Sequence, residues 1–429
     1  MANLLAASGF GGIVLAIVIL LAMVTIHEFG HYVAGKILGF KINEFSVGFG
    51  PALFKRRSKK TGETFALRLI PLGGYCAFDG EDYDEEDEKN TPEQKEETEE
   101  PFAEMQENDG GRYELNSSEE QKKEKDEDEY PEPKGERFND QAPWKRIIVL
   151  LAGAFMNYIL ALFLIITMFA GSGRPVYSVV KGEIPEGSTS QIAQETYDTG
   201  LKTGDILLEI NGKDLYLITD YTDILDGKKQ GDVVKVRVIR DGKKQTISIP
   251  LWEDANPKSM NDTNPIFFCL GIAAREKTVN EQGEETWELV RGGALAPTSV
   301  KEGFFETIGH SFGYSFKIGG TILRSLGELL TGKLGIKTMG GPVTTIKVTS
   351  EVAASGWVNF LNIAAFIGVN LAVFNLLPIP ALDGCKVIFC LIEWIRKKPV
   401  NRKVESIIHL VGILFLFGFA ILVDFLQFF

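Results

Sequence analysis

The chain has 429 residues, of which 58 are Asp or Glu and 45 are Lys or Arg, so its formal net charge is −13. Most of this charge comes from one segment, because residues 79–140 contain 27 of the acidic and 8 of the basic residues, whereas the rest carries +6 and is rich in apolar residues. These numbers exclude an ordinary acidic soluble protein, and four Cys in so long a chain exclude a disulfide scaffold.

Four stretches contain no Asp, Glu, Lys or Arg and are long enough to cross a hydrocarbon core, which takes about 20 apolar residues. A cleaved signal sequence is the alternative for the first stretch, but no Lys or Arg precedes its apolar run. The pattern predicts a polytopic α-helical membrane protein with four transmembrane helices, at residues 9–26, 147–173, 352–382 and 406–423.

The basic residues around these spans indicate how the chain crosses the bilayer, because Lys and Arg in short loops stay in the cytoplasm. They follow the first span, precede the second, and fill the loop between the third and the fourth. We therefore expect both chain termini and residues 174–350 to lie outside. The residues concerned are Lys36, Lys41, Lys55, Arg56, Arg57, Lys145, Arg146, Lys386, Arg396, Lys397, Lys398, Arg402 and Lys403.

Two further segments lie on the cytoplasmic side in this topology. After the first helix (1–40), residues 41–78 alternate apolar and polar side chains around glycines, which predicts a membrane-associated β segment that dips into the cytoplasmic face of the membrane. Residues 79–140 have few apolar side chains and dense charge, so they cannot bury enough surface to offset the entropy of ordering. They are predicted to be an acidic disordered insertion before the second helix (141–173).

The outer part begins with strand-like runs separated by Gly-Asp and Asp-Gly turns, which predict a β-rich domain at residues 174–252. Residues 253–350 are predicted to be a linker followed by an amphipathic helix from Phe304 to Leu326. This helix either lies on the outer membrane surface or packs on the β-rich domain. Residues 351–429 carry the third and fourth spans.

Ionisable residues interrupt the first span in the pattern His27-Glu28-Phe-Gly-His31. Spacing of four puts both imidazoles on one helical face, as in the H-E-x-x-H motif that binds zinc and uses its Glu as a general base. With four His in the chain, chance would produce this pattern in about 0.003 cases. Such residues also cost about 2.5–3.5 kcal/mol each in the bilayer, so they are functional candidates by default.

Two His ligands need a third protein ligand if one position is to stay open for water. The candidates are His310, Asp383, His409 and Asp424, and the predicted topology places only Asp383 and His409 at the depth of the H-E-x-x-H motif. Asp383 is preferred because two neutral imidazoles, one carboxylate and Glu28 leave Zn²⁺ locally neutral. His409 is the remaining rival.

Asp383 closes a segment that runs N-L-L-P-I-P-A-L-D-G from Asn375 to Gly384. Its two prolines lack amide donors and interrupt the helix, and the freed carbonyls are tolerated at that depth only against protein or a water-filled cavity. A simple exit from a helix into a loop is the alternative. The coincidence in depth with His27 and His31 favours a functional site.

These motifs resemble those of the site-2 protease family of intramembrane zinc metalloproteases, in particular the bacterial regulator-of-sigma-E branch. The resemblance implies that His27, His31 and Asp383 bind zinc, that Glu28 is the general base and that Asn375 binds substrate. F-S-V-G-F-G-P at 45–51 and I-P-L-G-G-Y at 70–75 are similar to the family's membrane-associated β segments. G-L-K-T-G-D at 200–205 with I-N-G-K at 210–213 is similar to a single PDZ domain.

The resemblance implies an intramembrane protease of the bacterial cytoplasmic membrane that cleaves single-span proteins such as anti-sigma factors or signal-peptide remnants. Its expected partners are these substrates and the lipid bilayer, with no nucleic acid. The second span departs from the family pattern, because Gly153-Ala154-Phe155-Met156-Asn157 stands where Gly-Pro usually precedes the Asn. The alternatives are a non-catalytic membrane scaffold with a PDZ-like domain, which would not need Glu28, and a zinc transporter, which would need more polar groups along its spans.

Overall fold

A computed structural model describes residues 2–81, 130–181, 199–258, 264–279, 285–335 and 340–428. The greater part of the predicted acidic insertion falls on 82–129 and lies outside these ranges. Within them the helices are α1 (Ala2–Leu38), α2 (Pro143–Ser172), α3 (Ile218–Leu225), α4 (Asn264–Cys269), α5 (Phe304–Leu330), α6 (Pro342–Ala354), α7 (Trp357–Asn375), α8 (Asp383–Arg396) and α9 (Arg402–Phe428).

Within the same described ranges, the strands belong to three sheets. They are β1 (Ile42–Arg57), β2 (Thr64–Phe78), β3 (Arg174–Lys181), β4 (Ile206–Ile210), β5 (Lys213–Asp214), β6 (Val233–Arg240), β7 (Lys243–Pro250), β8 (Ala274–Val279), β9 (Glu285–Arg291) and β10 (Gly293–Val300).

Within the described ranges, four helices have the length and composition to cross a membrane, one at each of the four predicted spans. The third span is shorter than its uncharged stretch, because α6 ends before Gly356, whose φ of +147° suits glycine, and α7 begins immediately after it. The spans are Gly11–Leu38, Pro143–Ser172, Trp357–Asn375 and Arg402–Gln427.

The chain divides into two compact units. The first contains Met1–Leu160, Gly340–Gly356 and Ile367–Phe429. In this unit glycine lets the spans approach closely, since a Cβ on Gly30 would be 2.8 Å from the carbonyl carbon of Ala152 in α2. This close approach brings α2 against the part of α1 that carries the His motif.

In the sheet of β1 and β2, four strand segments lie side by side, because each of the two long strands contributes two segments. The first part of β1, residues 42–47, lies between residues 64–67 and 74–78 of β2 and pairs with both. The direction of the pairing changes between Phe49 and Ala52. Just before this point, Gly48 has a φ of +86°, and a Cβ on it would be 2.7 Å from the carbonyl oxygen of Ile70. Residues 74–78 therefore form an edge of the sheet, next to α1.

The second unit contains Ala161–Met339 and Trp357–Phe366. Its main sheet has the order β10-β3-β4-β6-β7, with β5 paired to β4. The sheet extends past residue 252, the predicted end of the β-rich domain, because β10 pairs along the whole of β3. Three residues from the predicted linker, Ile266, Cys269 and Leu270, are fully buried in the same core. The domain boundary therefore differs from the expectation because a polar, turn-rich sequence hides a short helix and an edge strand.

The predicted amphipathic helix corresponds to α5, which has two different faces. Tyr314 is buried against Phe169, and its hydroxyl donates to Asn362 Oδ1 at 2.9 Å. Lys317 pairs with Asp220 of the β-rich domain at 3.1 Å. One face thus packs on the domain, while apolar side chains at Phe304, Phe305, Phe312, Phe316, Leu323 and Leu330 stay exposed on the helix.

Candidate metal centre

The two histidines of the first span meet at one point on the face of α1. The Nε2 atoms of His27 and His31 are 3.2 Å apart, and the rings lie edge to face. Both side chains are buried. Nδ1 of His31 is 2.8 Å from the carbonyl oxygen of Val149 in α2, so Nδ1–H donates and Nε2 keeps its lone pair.

Asp383 supplies a third atom at the same point. It is the first residue of α8, and its Oδ2 lies 3.0 Å from Nε2 of His27 and 3.4 Å from Nε2 of His31. All three ligand atoms lie within 4.8 Å of one another, and no other group of this kind occurs among the described residues. Three lone-pair atoms facing one another in a buried site suit a cation, and two imidazoles with a carboxylate suit Zn²⁺.

The other candidate ligands have different partners. His310 Nδ1 lies 2.6 Å from Glu302, outside the first unit. Nδ1 of His409 accepts a hydrogen bond from the Ala381 amide at 3.1 Å. The Asp424 carboxylate accepts hydrogen bonds from the amides of Val343 and Thr344 at the start of α6.

Two asparagine side chains surround the other ring nitrogen of His27. The amide nitrogens of Asn157, in α2, and Asn375, at the end of α7, each lie 3.4 Å from Nδ1. Asn157 is 1% exposed, and its Oδ1 has no hydrogen-bond partner among the described residues. Rotation of the Asn157 amide by half a turn gives its Oδ1 a donor in Nδ1–H of His27. Nε2 of His27 would then offer its lone pair to a metal ion held by His27, His31 and Asp383.

The role of Asn157 did not emerge from the sequence, where Gly153 and Asn157 stood out only as a departure from a family pattern. The structure gives the spacing a meaning, because a Cβ on Gly153 would be 2.7 Å from Cε1 of His27. Glycine at this position is therefore needed for α2 to lie against both imidazoles. A Gly-x-x-x-Asn pattern in a span is the signal that could have indicated it.

Glu28 borders a cavity of about 340 Å³ beside the cluster. Its carboxylate accepts a hydrogen bond from the backbone N–H of Cys76 on the sheet edge. His31 and Asp383 line the same cavity, with the ion pair of Lys386 and Glu81, 2.7 Å long. The remaining lining residues are Tyr75, Cys76, Ala77, Phe78, Val149 and Leu150.

The carboxylate of Asp383 is held in its ionised form. Burial alone would raise the pKa of Asp383, but hydrogen bonds from Nε2–H of His27 and His31, when these rings carry a proton there instead of a metal ion, hold that pKa below its usual range. Burial raises the pKa of the Cys76 thiol well above its ordinary value, so this thiol is neutral. The cluster of His27, His31 and Asp383 therefore has one oxygen ligand, the Asp383 carboxylate, beside two imidazole nitrogens.

The chain matches a known protein family and is similar to several named proteins. A family model described as peptidase family M50 matches residues 15–419. The chain is 29% identical to the regulator of sigma-W protease RasP of Bacillus subtilis, over 93% of this chain and 94% of that protein. It is 30% identical to zinc metalloprotease RasP of Bacillus licheniformis, over 92% and 93% respectively. The chain therefore belongs to peptidase family M50 and is a zinc metalloprotease of the site-2 protease type.

Proposed function

We propose that this protease binds one zinc ion through His27, His31 and Asp383 and hydrolyses peptide bonds within or near the transmembrane segments of single-span membrane proteins. The observation that supports this most directly is the convergence of the three ligand atoms beside Glu28, on helices of a membrane protein. Three protein ligands leave a position for water, as in catalytic rather than structural zinc sites.

Zinc, when bound, supplies a Lewis acid that acidifies water and polarises the scissile carbonyl. The Glu28 carboxylate takes the proton of the attacking water and returns it to the leaving amine. The hydrogen bond from the Cys76 amide directs this carboxylate into the cavity. Asn375, which is partly exposed beside His27, binds the substrate, either along its main chain or at the developing oxyanion.

The sheet edge beside Glu28 supports a way of presenting the substrate. A helical substrate hides its carbonyls in its own hydrogen bonds, so the segment to be cleaved must first become extended. Residues 74–78 pair with β1 on one side, and four of them line the cavity on the other. An extended substrate adds to this edge as a further strand, which places its peptide bonds next to Glu28.

The basic residues flanking the spans support an orientation with the zinc site towards the cytoplasm of a bacterial cell and the β-rich domain outside. The β-rich domain is PDZ-like in this proposal and acts on substrates before they reach the site. The Bacillus subtilis relative is named as a regulator of sigma-W. Regulated proteolysis of an anti-sigma-factor-like protein or of a signal-peptide remnant is the corresponding proposal for this chain.

Cleavage of a single-span model substrate by the purified protein and by Glu28→Gln tests the proposal. General acid–base groups contribute about 10²- to 10⁴-fold, so we expect a loss of that size with zinc content unchanged. Glu351→Gln, on an exposed part of α6, is the matched control and should cleave like the parent protein. Equal cleavage by Glu28→Gln would contradict the assignment of the general base, whereas absence of cleavage by both proteins would favour a scaffold role.

A further inference from the structure

The turn that carries Asp383 has an unusual backbone. Between α7 and α8 the chain contains Pro378 and Pro380, which have no amide hydrogen, and Ala381 has a φ of +81°. L-amino acids other than Gly, Asn and Asp rarely adopt this left-handed region, and such a conformation persists only where the surroundings hold it. The turn therefore needs support from outside itself.

Part of that support comes from hydrogen bonding. Two hydrogen bonds lie inside the turn: the amide of Ile379 donates to the carbonyl oxygen of Leu377, and the amide of Leu382 donates to the carbonyl oxygen of Ile379. The amide of Ala381 instead donates to Nδ1 of His409, 28 residues later on α9, at 3.1 Å. The residue with the left-handed backbone is thus the one that α9 holds.

A second contact on the same face of α9 touches the neighbouring residue of the turn. Gly412 follows His409 by three positions, so both lie on one side of the helix. A Cβ on Gly412 would be 2.6 Å from the carbonyl carbon and 2.7 Å from the carbonyl oxygen of Pro380. The backbone of the turn therefore rests directly on α9, with no room for a side chain at this position.

We propose that His409 is a positioning residue which, with the seat provided by Gly412, holds the turn so that Asp383 reaches the metal. This inference rests on the proposed function, in which Asp383 is the third zinc ligand. Asp383 follows Ala381 by two residues and must bring Oδ2 to the two imidazoles, now at 3.0 and 3.4 Å. Release of the Ala381 amide lets the turn relax and moves the carboxylate.

The geometry separates this role from that of a direct ligand. Nδ1 of His409 accepts the Ala381 hydrogen bond, so a neutral ring carries its proton on Nε2. His409 does not join the group formed by His27, His31 and Asp383. When Asn replaces His409, its side-chain oxygen lies where Nδ1 of the imidazole was. When Gln replaces His409, its longer side chain places the oxygen where Nε2 was. The two amides therefore distinguish the two roles.

The experiment compares His409→Asn, His409→Gln and His409→Leu in the purified full-length protein. Zinc affinity is measured by competition with a chelator, and the ligand set by the absorption spectrum of the Co²⁺-substituted protein. Supporting groups of metal ligands are worth about 10- to 100-fold in affinity, so Gln and Leu should lose that much. Asn should stay within about threefold of the parent and keep its Co²⁺ spectrum.

Gly412→Ala tests the seat on its own, and Gly418→Ala is its matched control on the same helix, where a Cβ meets nothing within 4 Å. We expect Gly412→Ala to behave like His409→Leu, and Gly418→Ala like the parent protein. Retention of zinc by Gln but not by Asn would make His409 a ligand through Nε2 and overturn the inference. Equal effects of all three His409 variants, whether none or large, would overturn it as well.

Asp383→Ala separates failure of this inference from failure of the proposed function. If Asp383→Ala keeps full zinc affinity, the proposed ligand set itself is wrong. If Asp383→Ala loses zinc while the Asn, Gln and Leu variants all keep it, the ligand set stands and only the positioning role of His409 is lost.

Discussion

Asn157 and Asn375 lie at the same distance from Nδ1 of His27 but differ in exposure. Asn157 is buried, whereas Asn375 is partly exposed. A group that orients a ligand affects metal binding, and a group that contacts substrate affects turnover. Substitution of Asn157 should therefore weaken zinc binding, and substitution of Asn375 should reduce turnover.

We predict that Asn157→Ala lowers zinc affinity by about 10- to 100-fold, because His27 loses the group that fixes its ring. Asn157→Asp keeps an acceptor for Nδ1–H and should retain zinc. Asn375→Ala should keep zinc and lose kcat/KM. Chelator competition and cleavage kinetics on the same preparations measure both effects, and a loss of zinc from Asn375→Ala alone would reverse the two roles.

The sequence could predict which residues share the site where the helical repeat alone places their side chains on one face. His27, Glu28 and His31 share one helix, so their spacing alone places them together. Asp383 needed an argument about depth, and the structure brings it to the same point. The contributions of Asn157 and His409 depend on which face of α2 and of α9 meets the site, and a span that is apolar all round carries no periodicity that could show it.

At the scale of elements, the sheet of β1 and β2 is held by a polar cluster that joins three of its segments. Arg68 donates to Glu44 at 2.5 Å and to Tyr75 at 2.7 Å, and Tyr75 also donates to Glu44 at 2.7 Å. Arg68 further donates to Ser46 at 2.9 Å. Tyr75 lies on the edge that lines the cavity, so this cluster sets the position of the proposed substrate-binding edge.

The cluster predicts a pH-dependent stability. Burial alone would raise the pKa of Glu44, but hydrogen bonds from Tyr75 and Arg68 hold it below the usual range. A carboxyl with a lowered folded-state pKa stabilises the fold above its unfolded value of about 4.3, and the contribution is lost as pH falls through the folded value. Glu44→Gln should therefore lower the apparent Tm at pH 7, with the difference shrinking below about pH 4.

Thermal unfolding of the two proteins between pH 7 and pH 3 measures this effect, with Glu351→Gln as the exposed control. A difference in Tm that stays constant over the whole range would show that the Glu44 charge is not what stabilises the sheet.

The sequence predicted that residues 41–78 form strands, because apolar and polar side chains alternate there. It could not predict that residues 42–47 pair on both sides, since that register depends on contacts between segments.

In the second unit, the sheet and core of the β-rich domain include residues beyond 252, where the sequence placed the end of this domain. The β-rich domain needs β10 as the neighbour of β3, so a deletion that stops at residue 252 would leave β10 without its sheet. A deletion of residues 175–300 removes the sheet as a whole. The helix α5 keeps its contacts with Phe169 and Asn362 through Tyr314, so the part of the unit that includes the spans retains a packed helix.

The basic residues that flank the spans favour a β-rich domain outside the cell, and we propose that it acts as a steric filter on substrate entry and contributes no zinc ligand. We therefore predict that replacing residues 175–300 with a short Gly-Ser linker leaves zinc bound. The shortened enzyme should cleave single-span substrates with bulky outer domains that the intact enzyme rejects, because nothing then blocks their approach. Cleavage of a substrate series with outer domains of increasing size measures this.

Two controls make the result interpretable. Glu28→Gln in the shortened protein should abolish the new cleavage, which shows that the same site performs it. A substrate with a minimal outer segment should be cleaved at similar rates by the intact and shortened enzymes, because a filter does not act on a substrate that it admits. If the shortened enzyme keeps its zinc but cleaves neither large nor small substrates, the domain delivers substrates to the site, since delivery is needed for every substrate and exclusion only for large ones.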